Sequence, residues 1–120
     1  MSLHTKSVQK PTLINDGIRI CIMRRPEKNI KFHIWLPILA PSNKLLTDYH
    51  NKKYSWFQFE KVFKRQVLKK QKRFINLLCE IAVKQKVTIL CWENEPTQCH
   101  RRLIAEACKI VQPKLKVIIK

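Results

Sequence analysis

The chain has 120 residues, with 25 Lys and Arg against 8 Asp and Glu, and therefore a net charge of +17. This length suits one domain with one core, and a hydrophobic content of 45% is typical of a globular protein, not a disordered one. A single glycine excludes a glycine-rich phosphate loop. The positive charge favours a polyanionic or acidic partner, although a basic composition without such a partner is the alternative explanation.

The cysteine count and the absence of apolar segments bear on the compartment. Five cysteines, an odd number, and no apolar signal core at the N-terminus predict an intracellular, cytoplasmic protein in a reducing environment. The longest apolar run, residues 34–41, is too short to cross a bilayer, so no membrane partner is expected. The sequence indicates no cofactor and no oligomeric state.

The first third of the chain predicts one strand and an irregular segment. Residues 1–17 are interpreted as a basic N-terminal tail that ends in an Asp16-Gly17 turn, and residues 18–120 as a single α/β domain. Residues 18–23 are apolar on both faces, as expected of a strand in a parallel sheet covered by helices. Residues 33–40 are apolar but contain Pro37, which predicts an irregular segment laid on the core.

Two serines mark helix starts in the middle of the chain. Ser42 is a predicted N-cap for a short helix over residues 43–50, and Ser55 for a longer helix. A break is expected at residues 69–72, where the apolar stripe lapses. The stripe of the longer helix consists of Trp56, Phe59, Phe63 and Val67, and that of the next helix of Phe74, Leu77, Leu78, Ile81 and Ala82.

The last third of the chain reads as a βαβ unit. A strand over residues 87–90 leads through a polar loop to a helix that Thr97, or alternatively Asn94, would cap. A final strand follows at residues 115–119. Alternating strands and helices predict an α/β fold with a small parallel, or mostly parallel, sheet. Helices would flank that sheet in a three-layer α/β/α-like arrangement.

The loop before the last helix is the candidate site, because ligands of open α/β sheets bind beyond the carboxyl ends of the strands. With Thr97 as N-cap, the amides of Cys99 and His100 would point at an anion. Arg101 and Arg102 would add charge-assisted hydrogen bonds, and Arg24 would reach the same edge from the first strand.

Cys99 is the first candidate for a reactive thiol. A helix N-terminus and cationic neighbours predict a lowered thiol pKa, and therefore a nucleophile or redox thiol. The alternative is that Cys99 packs under the helix start while His100 hydrogen-bonds the loop. Glu93 and Glu95 would oppose a thiolate or act as acid/base groups. Cys91, Cys99 and His100 are metal-ligand types, but their spacing matches no zinc pattern, so no metal site is predicted.

A basic stretch is the second candidate site. Seven of the thirteen residues from 61 to 73 are Lys or Arg, which is a charge density that could follow a nucleic-acid backbone. A solvated helix face is the alternative, since the nearby aromatic residues mostly follow core spacing. The seven are Lys61, Lys64, Arg65, Lys69, Lys70, Lys72 and Arg73.

Several motifs resemble the family called domain of unknown function 488. They are V-T-I-L-C-W-E at 87–93 and C-H-R-R-L-I-A at 99–105. W-L-P-I-L-A-P-S at 35–42 and W-F-Q-F-E-K-V-F at 56–63 are similar to its YeaO-like branch, so the resemblance spans roughly residues 18–120. It implies an α/β fold and a site built from Arg24, Cys91, Glu93, Cys99, His100 and Arg101.

This chain departs from the YeaO-like pattern at one position. That pattern has an Asp-Arg pair at the end of the first strand, where this chain has Met23-Arg24. An activity that needs the acid would be absent here, or Glu93 or Glu95 would supply it.

The leading hypothesis is an anion-binding (phosphate-binding) pocket at the Cys99-His100-Arg101 helix start. In a thiol-dependent enzyme of this kind, Cys99 or Cys91 would act on a nucleotide or nucleic-acid ligand. His100 would transfer a proton and Glu93 would be a second acid/base group. The alternative is a non-catalytic nucleic-acid-binding module that uses the basic 61–73 helix face. The sequence leaves open whether the protein is an enzyme.

Overall fold

The computed structural model describes residues 1–120 and contains one sheet of five parallel strands. The strands are β1 (Ser2–Ser7), β2 (Ile18–Cys21), β3 (Ile34–Trp35), β4 (Lys86–Cys91) and β5 (Lys116–Ile118). They lie in the order β3-β2-β4-β1-β5, and every pairing is parallel. The helices are α1 (Asn43–His50), α2 (Trp56–Phe63), α3 (Lys72–Lys84) and α4 (His100–Val111). The predicted α/β fold, with a small parallel sheet and flanking helices, is confirmed.

The N-terminal segment is not a tail. The prediction of a basic tail over residues 1–17 is wrong for Ser2–Ser7, which form β1 between β4 and β5. Leu3 is fully buried and pairs with Val87 on one side and Val117 on the other. The alternation was hard to recognise because the other two buried positions are polar, Thr5 and Ser7. Their hydroxyls donate to the Lys120 and Trp92 carbonyls, so their burial leaves no unpaired group.

A short connection leads from β1 to β2. Residues Ile14–Asp16 form a 3-10 turn against β4, where the Thr88 hydroxyl donates to the Asp16 carbonyl at 2.6 Å. The Asp16 carboxylate accepts from Lys6 of β1 at 2.9 Å. The predicted turn at Asp16-Gly17 is confirmed, and it needs glycine: Gly17 has φ +70°, and a Cβ there would lie 2.3 Å from the Lys86 carbonyl oxygen.

The helices cover one face of the sheet, so the arrangement has two layers and not the predicted three. Helices α3 and α4 pack on each other and on β1 and β4, and α2 contacts α4. Between these helices and the sheet lies a core of 19 buried residues that includes Leu3, Ile20, Val87 and Ile89. The intervening residues of each strand point to the opposite face of the sheet, where the 3-10 turn Ile14–Asp16 packs against β4.

The starts of α1 and α2 were predicted more accurately than the buried face of α3. Ser42 and Ser55 cap α1 and α2 as predicted, each accepting a hydrogen bond from the amide three residues on. The predicted break at residues 69–72 also occurs, because a turn at residues 70 and 71 separates the π-helical segment Lys64–Lys69, which follows α2, from α3. The buried face of α3 differs from the predicted one: Leu77, which was predicted to be buried, is 44% exposed, whereas Ile75 is buried.

Residues 33–40 combine regular and irregular structure. Ile34 and Trp35 pair with β2 as a two-residue edge strand, so the prediction that this segment is no regular strand is wrong for these two residues. Pro37–Leu39 then form a 3-10 turn, because a proline cannot extend the strand ladder. None of the helices has the length and the apolar run needed to span a bilayer.

Replacing Leu3 with Ala should reduce the free energy of unfolding by about 2–5 kcal/mol, because it leaves a cavity in the centre of the sheet. Urea unfolding followed by circular dichroism measures this loss. Leu13→Ala is the control, since Leu13 is half exposed and its truncation should cost less than about 1 kcal/mol. Equal stability of the Leu3 variant and the parent protein would contradict a central β1.

Candidate functional site

A pocket of about 460 Å³ opens at the carboxyl ends of β2 and β4, where the sheet topology favours ligand binding. We call it the β2–β4 pocket. Its lining combines the ends of these two strands with α1, the start of α2 and the start of α4. The residues are Met23, Arg24, Arg25, Pro41, Asn43, Leu46, Tyr49, His50, Trp56, Phe59, Cys91, Trp92, Glu93, Gln98, Cys99 and His100.

His100 is the first residue of α4, and its ring is held in one orientation. Its Nε2 lies 2.7 Å from the carbonyl oxygen of Ile22, just beyond β2. A carbonyl oxygen only accepts hydrogen bonds, so Nε2 carries a proton and the neutral ring has its lone pair on Nδ1. The ring itself is only 7% exposed. The end of β2 therefore determines which nitrogen of His100 faces the neighbouring groups.

Cys91, the last residue of β4, faces that lone pair. Its Sγ lies 3.4 Å from His100 Nδ1, a distance at which the thiol donates its proton to the nitrogen. Cys91 is 5% exposed and lies on the floor of the pocket. A cysteine hydrogen-bonded to an oriented imidazole is the arrangement of an activated thiol nucleophile.

A row of aromatic rings supports His100 from the helix side. The Trp56 ring stacks on Phe59 with centroids 4.9 Å apart, Phe59 stacks on Phe63 at 6.0 Å, and Phe63 lies 5.7 Å from the His100 ring. The spacing of these residues on α2 predicted their shared face. Of the three rings, only that of Phe63 packs directly against the imidazole, and the other two continue the row along α2.

Cys99 differs from the sequence-based prediction. The predicted cap Thr97 is wrong, because α4 begins one residue after Cys99, which occupies the N-cap position. The Cys99 amide donates to the Pro96 carbonyl at 3.2 Å and is therefore not free for an anion. The adjacent Cys91 thiol, together with burial, raises the pKa of Cys99 to about 12. The predicted lowered pKa is wrong, and Cys99 stays a protonated thiol at neutral pH.

Arg101 was predicted to bind an anion, but its side chain lies outside the pocket. Its side chain is completely buried, and its guanidinium donates to the carbonyls of Glu93, Asn94 and Lys120 at 2.7–3.2 Å. It does not line the β2–β4 pocket. Its three bonds tie the loop after β4 to the C-terminal residue, so Arg101 shapes the site without facing a ligand.

Arg102 also points away from the pocket. Its guanidinium forms ion pairs with Glu60 of α2 at 2.9 Å and with Glu106 of α4 at 3.0 Å. These carboxylates raise the pKa of Arg102 against the opposing effect of burial. Arg102 therefore joins α2 to α4 and does not take part in the pocket.

Arg24 is the predicted anion ligand that does line the pocket, with Arg25 beside it. Its Nε and Nη2 donate to the Pro41 and Ala40 carbonyls at 3.0 and 3.2 Å, which leaves Nη1 without an acceptor in the chain. Glu93 lines the pocket and is exposed, as is Trp92. The structure thus brings Arg24, Cys91, Glu93, Cys99 and His100 together, while Arg101 and Arg102 lie elsewhere.

The pocket wall includes residues that the sequence did not single out as a site. The Tyr49 hydroxyl of α1 donates to the Gln98 side chain at 3.4 Å, and both residues line the pocket. His50 and Asn43 of the same helix also line the pocket. The residue type of Tyr49 was the one available signal in the sequence. A tyrosine at the edge of an apolar helix face usually keeps its hydroxyl in a polar environment.

The seven basic residues of the 61–73 stretch are all exposed. They are distributed over α2, the π-helical segment, the turn at Lys70 and the first turn of α3. Lys64 pairs with Glu60 at 3.3 Å, and Lys61 lies over the Phe57 ring at 4.7 Å. Most of these charges have no acidic partner within the chain.

The sheet order defines an α/β protein, and the pocket with its cysteine–histidine pair forms a candidate site at the carboxyl edge of the sheet. A family model described as the active DUF488-N3 subclade matches residues 3–110. The chain therefore belongs to the DUF488 family, as its motifs predicted. No curated protein and no solved structure matches the chain.

The buried position of Arg101 predicts a cost in stability. Replacing Arg101 with Met should lower the free energy of unfolding by about 2–4 kcal/mol, because three carbonyl oxygens lose a charged donor. Arg102→Met is the matched control and should cost about 0–1 kcal/mol, since its ion pairs remain partly exposed. Chemical denaturation of both variants measures the difference. An Arg101 variant as stable as the control would contradict the structural role.

Proposed function

We propose that the β2–β4 pocket binds a nucleotide or a nucleotide end of a nucleic acid, and that Cys91 acts on it as a nucleophile. The observation that carries the proposal is the 3.4 Å contact between Cys91 Sγ and His100 Nδ1 on the pocket floor. The catalytic thiol is therefore assigned to Cys91, and Cys99 becomes its protonated neighbour. This makes the protein a thiol-dependent enzyme.

The shape and lining of the pocket support a ligand of this class. A volume of about 460 Å³ is in the range of small-molecule sites. Trp92 and Tyr49 offer aromatic faces for a planar base. Arg24 and Arg25 offer guanidinium donors for a phosphate. A nucleotide combines both features in one molecule.

The residues present support a balanced covalent step. Cys91 passes its proton to His100 Nδ1, and its sulfur forms a bond to an electrophilic centre of the ligand while the bond to the leaving group breaks. The proton on Nδ1 moves to the leaving group, and water then releases the product from the sulfur. Throughout, the Ile22 carbonyl keeps Nε2–H in place and stabilises the protonated ring. Glu93, at the rim, is the proposed second acid/base group.

The five cysteines are free thiols, and the sulfurs of Cys91 and Cys99 lie within 4.8 Å of each other. Two thiols this close would be prone to oxidation in an oxidising compartment. The proposed chemistry needs Cys91 in its reduced form. We therefore place the protein in the reducing cytoplasm.

Thiol reactivity tests the proposal. Iodoacetamide should modify Cys91 faster than the other four cysteines, as measured by peptide mass spectrometry over time. His100→Gln keeps a donor for the Ile22 carbonyl but removes the base, so the Cys91 rate should fall by about tenfold or more. A common nucleoside monophosphate in excess should protect Cys91 in the parent protein.

Two tryptophan variants provide the control for ligand protection. Trp92 lines the pocket and Trp35 does not, although they are 44% and 45% exposed. Trp92→Ala should weaken protection by the nucleotide, whereas Trp35→Ala should leave it unchanged. An unreactive Cys91, or a rate independent of His100, would refute the thiol mechanism. Equal effects of the two tryptophan variants would refute nucleotide binding in this pocket.

The exposure of all seven basic residues in the 61–73 stretch favours a second candidate function, non-catalytic nucleic-acid binding. Such binding should weaken with salt, with log K falling by about 0.9 per phosphate contacted on duplex DNA. Changing Lys69, Lys70, Lys72 and Arg73 together to Gln should flatten that slope. The same change at Lys28, Lys31, Lys52 and Lys53, which are also exposed, is the control. Equal slopes for the two variants would contradict a role of the 61–73 face.

A further inference from the structure

Three potential metal ligands meet on the floor of the β2–β4 pocket. The ligand atoms of Cys91, Cys99 and His100 all lie within 4.8 Å of one another, and all three residues are buried. In a tetrahedral zinc site, bond lengths of about 2.3 Å to sulfur and 2.0–2.1 Å to nitrogen place such atoms roughly 3.6 Å apart. The 3.4 Å between Cys91 Sγ and His100 Nδ1 is close to that separation.

We propose that Cys91, Cys99 and His100 form a Zn²⁺ site that opens into the pocket. The sequence spacing matched no zinc pattern, because the cluster joins the end of a strand to a helix start across a loop. Folding supplies the proximity that spacing alone does not show.

The surroundings of His100 fit a metal ligand. A zinc-bound histidine normally donates its other ring N–H to a carbonyl or carboxylate, which fixes the tautomer and the ring plane. His100 makes this bond from Nε2 to the Ile22 carbonyl at 2.7 Å. Its Nδ1 lone pair thereby faces the Cys91 sulfur at 3.4 Å, and the ligand atoms of His100 and Cys99 lie within 4.8 Å of each other. Thiolates and imidazole are ligands that Zn²⁺ accepts readily.

The charges balance despite the basic character of the chain. When Zn²⁺ binds, both thiols release their protons to solvent, and two thiolates with a neutral imidazole compensate the two positive charges of the ion. Three protein ligands leave a fourth position, which faces the pocket and suits water or a ligand atom. A closed structural site would have four protein ligands, and here the chain offers three.

Zinc at this position would also regulate the proposed thiol chemistry, and only this consequence depends on the proposed function. A Cys91 sulfur bound to Zn²⁺ cannot attack a ligand. Bound zinc would therefore block the attack of Cys91 on the ligand, and removal of zinc would release the nucleophile.

Metal binding to the full chain tests the site directly. Zn²⁺ in competition with a chromophoric chelator should bind at one ion per chain. Co²⁺, as a spectroscopic substitute, should give thiolate-to-metal charge-transfer absorption in the parent protein. Cys99→Ser should weaken Zn²⁺ binding by at least about tenfold, whereas Cys108→Ala, in a buried cysteine outside the cluster, should not.

The outcomes separate this proposal from the proposed function. Cys99→Ser removes one zinc ligand but keeps the Cys91–His100 contact, so Cys91 alkylation should persist there and become insensitive to Zn²⁺. In the parent protein, Zn²⁺ should block that alkylation and a chelator should restore it. Absence of Co²⁺ charge transfer in the parent protein, or equal Zn²⁺ affinity of the two cysteine variants, would overturn the zinc site. An unreactive Cys91 together with normal zinc binding would overturn only the thiol enzyme.

Discussion

The hydrogen bond from His100 Nε2 to the Ile22 carbonyl is the interaction on which the arrangement of the site depends. It connects the first residue of α4 to the chain just beyond β2, across the end of β4. Because Nε2 must be the donor, Nδ1 is left as the acceptor for Cys91 at 3.4 Å. One main-chain carbonyl therefore sets the tautomer, the ring plane and the partner of the only buried histidine in the pocket.

The rest of the fold keeps this geometry in place. β1 pairs with β4 along its whole length, and the Ser7 hydroxyl and the Gln9 side chain both donate to the Trp92 carbonyl immediately after Cys91. From the other side, Arg101 binds the next two carbonyls of the same loop, those of Glu93 and Asn94. Hydrogen bonds from side chains to the main-chain carbonyls of three successive residues, 92–94, therefore hold the loop after β4 in place. Its side chains remain free to line the pocket.

Local signals in the sequence predicted much of this structure. The caps Ser42 and Ser55 and the unit from β4 to β5 depend on interactions between residues near in sequence, and they were predicted within a few residues. β1 was missed because its strand pairing joins residues more than eighty positions apart. Two of its three buried side chains are also polar, which hides the alternation that identifies a half-buried strand.

Five of the predicted site residues line one pocket, but their contacts within it depend on the tertiary structure. Because arginine is rarely buried, the burial of the Arg101 guanidinium among main-chain carbonyls could not be predicted from the sequence. The pKa of Cys99 follows from the adjacent Cys91 thiol and from burial, and neither can be read from the neighbouring residues in sequence. The N-cap of α4 lies two residues beyond the predicted one, so the Cys99 amide bonds to the Pro96 carbonyl and is not free for an anion.

The tautomer of His100 is the most direct test of this account. Nitrogen NMR of ¹⁵N-labelled protein at neutral pH, with two-bond couplings to the ring protons, reports which ring nitrogen carries hydrogen. The account predicts that Nε2 of His100 is protonated in the parent protein. A His100 ring with hydrogen on Nδ1 and none on Nε2 would contradict it, because Nδ1 could then neither accept the proton of Cys91 nor bind a metal ion.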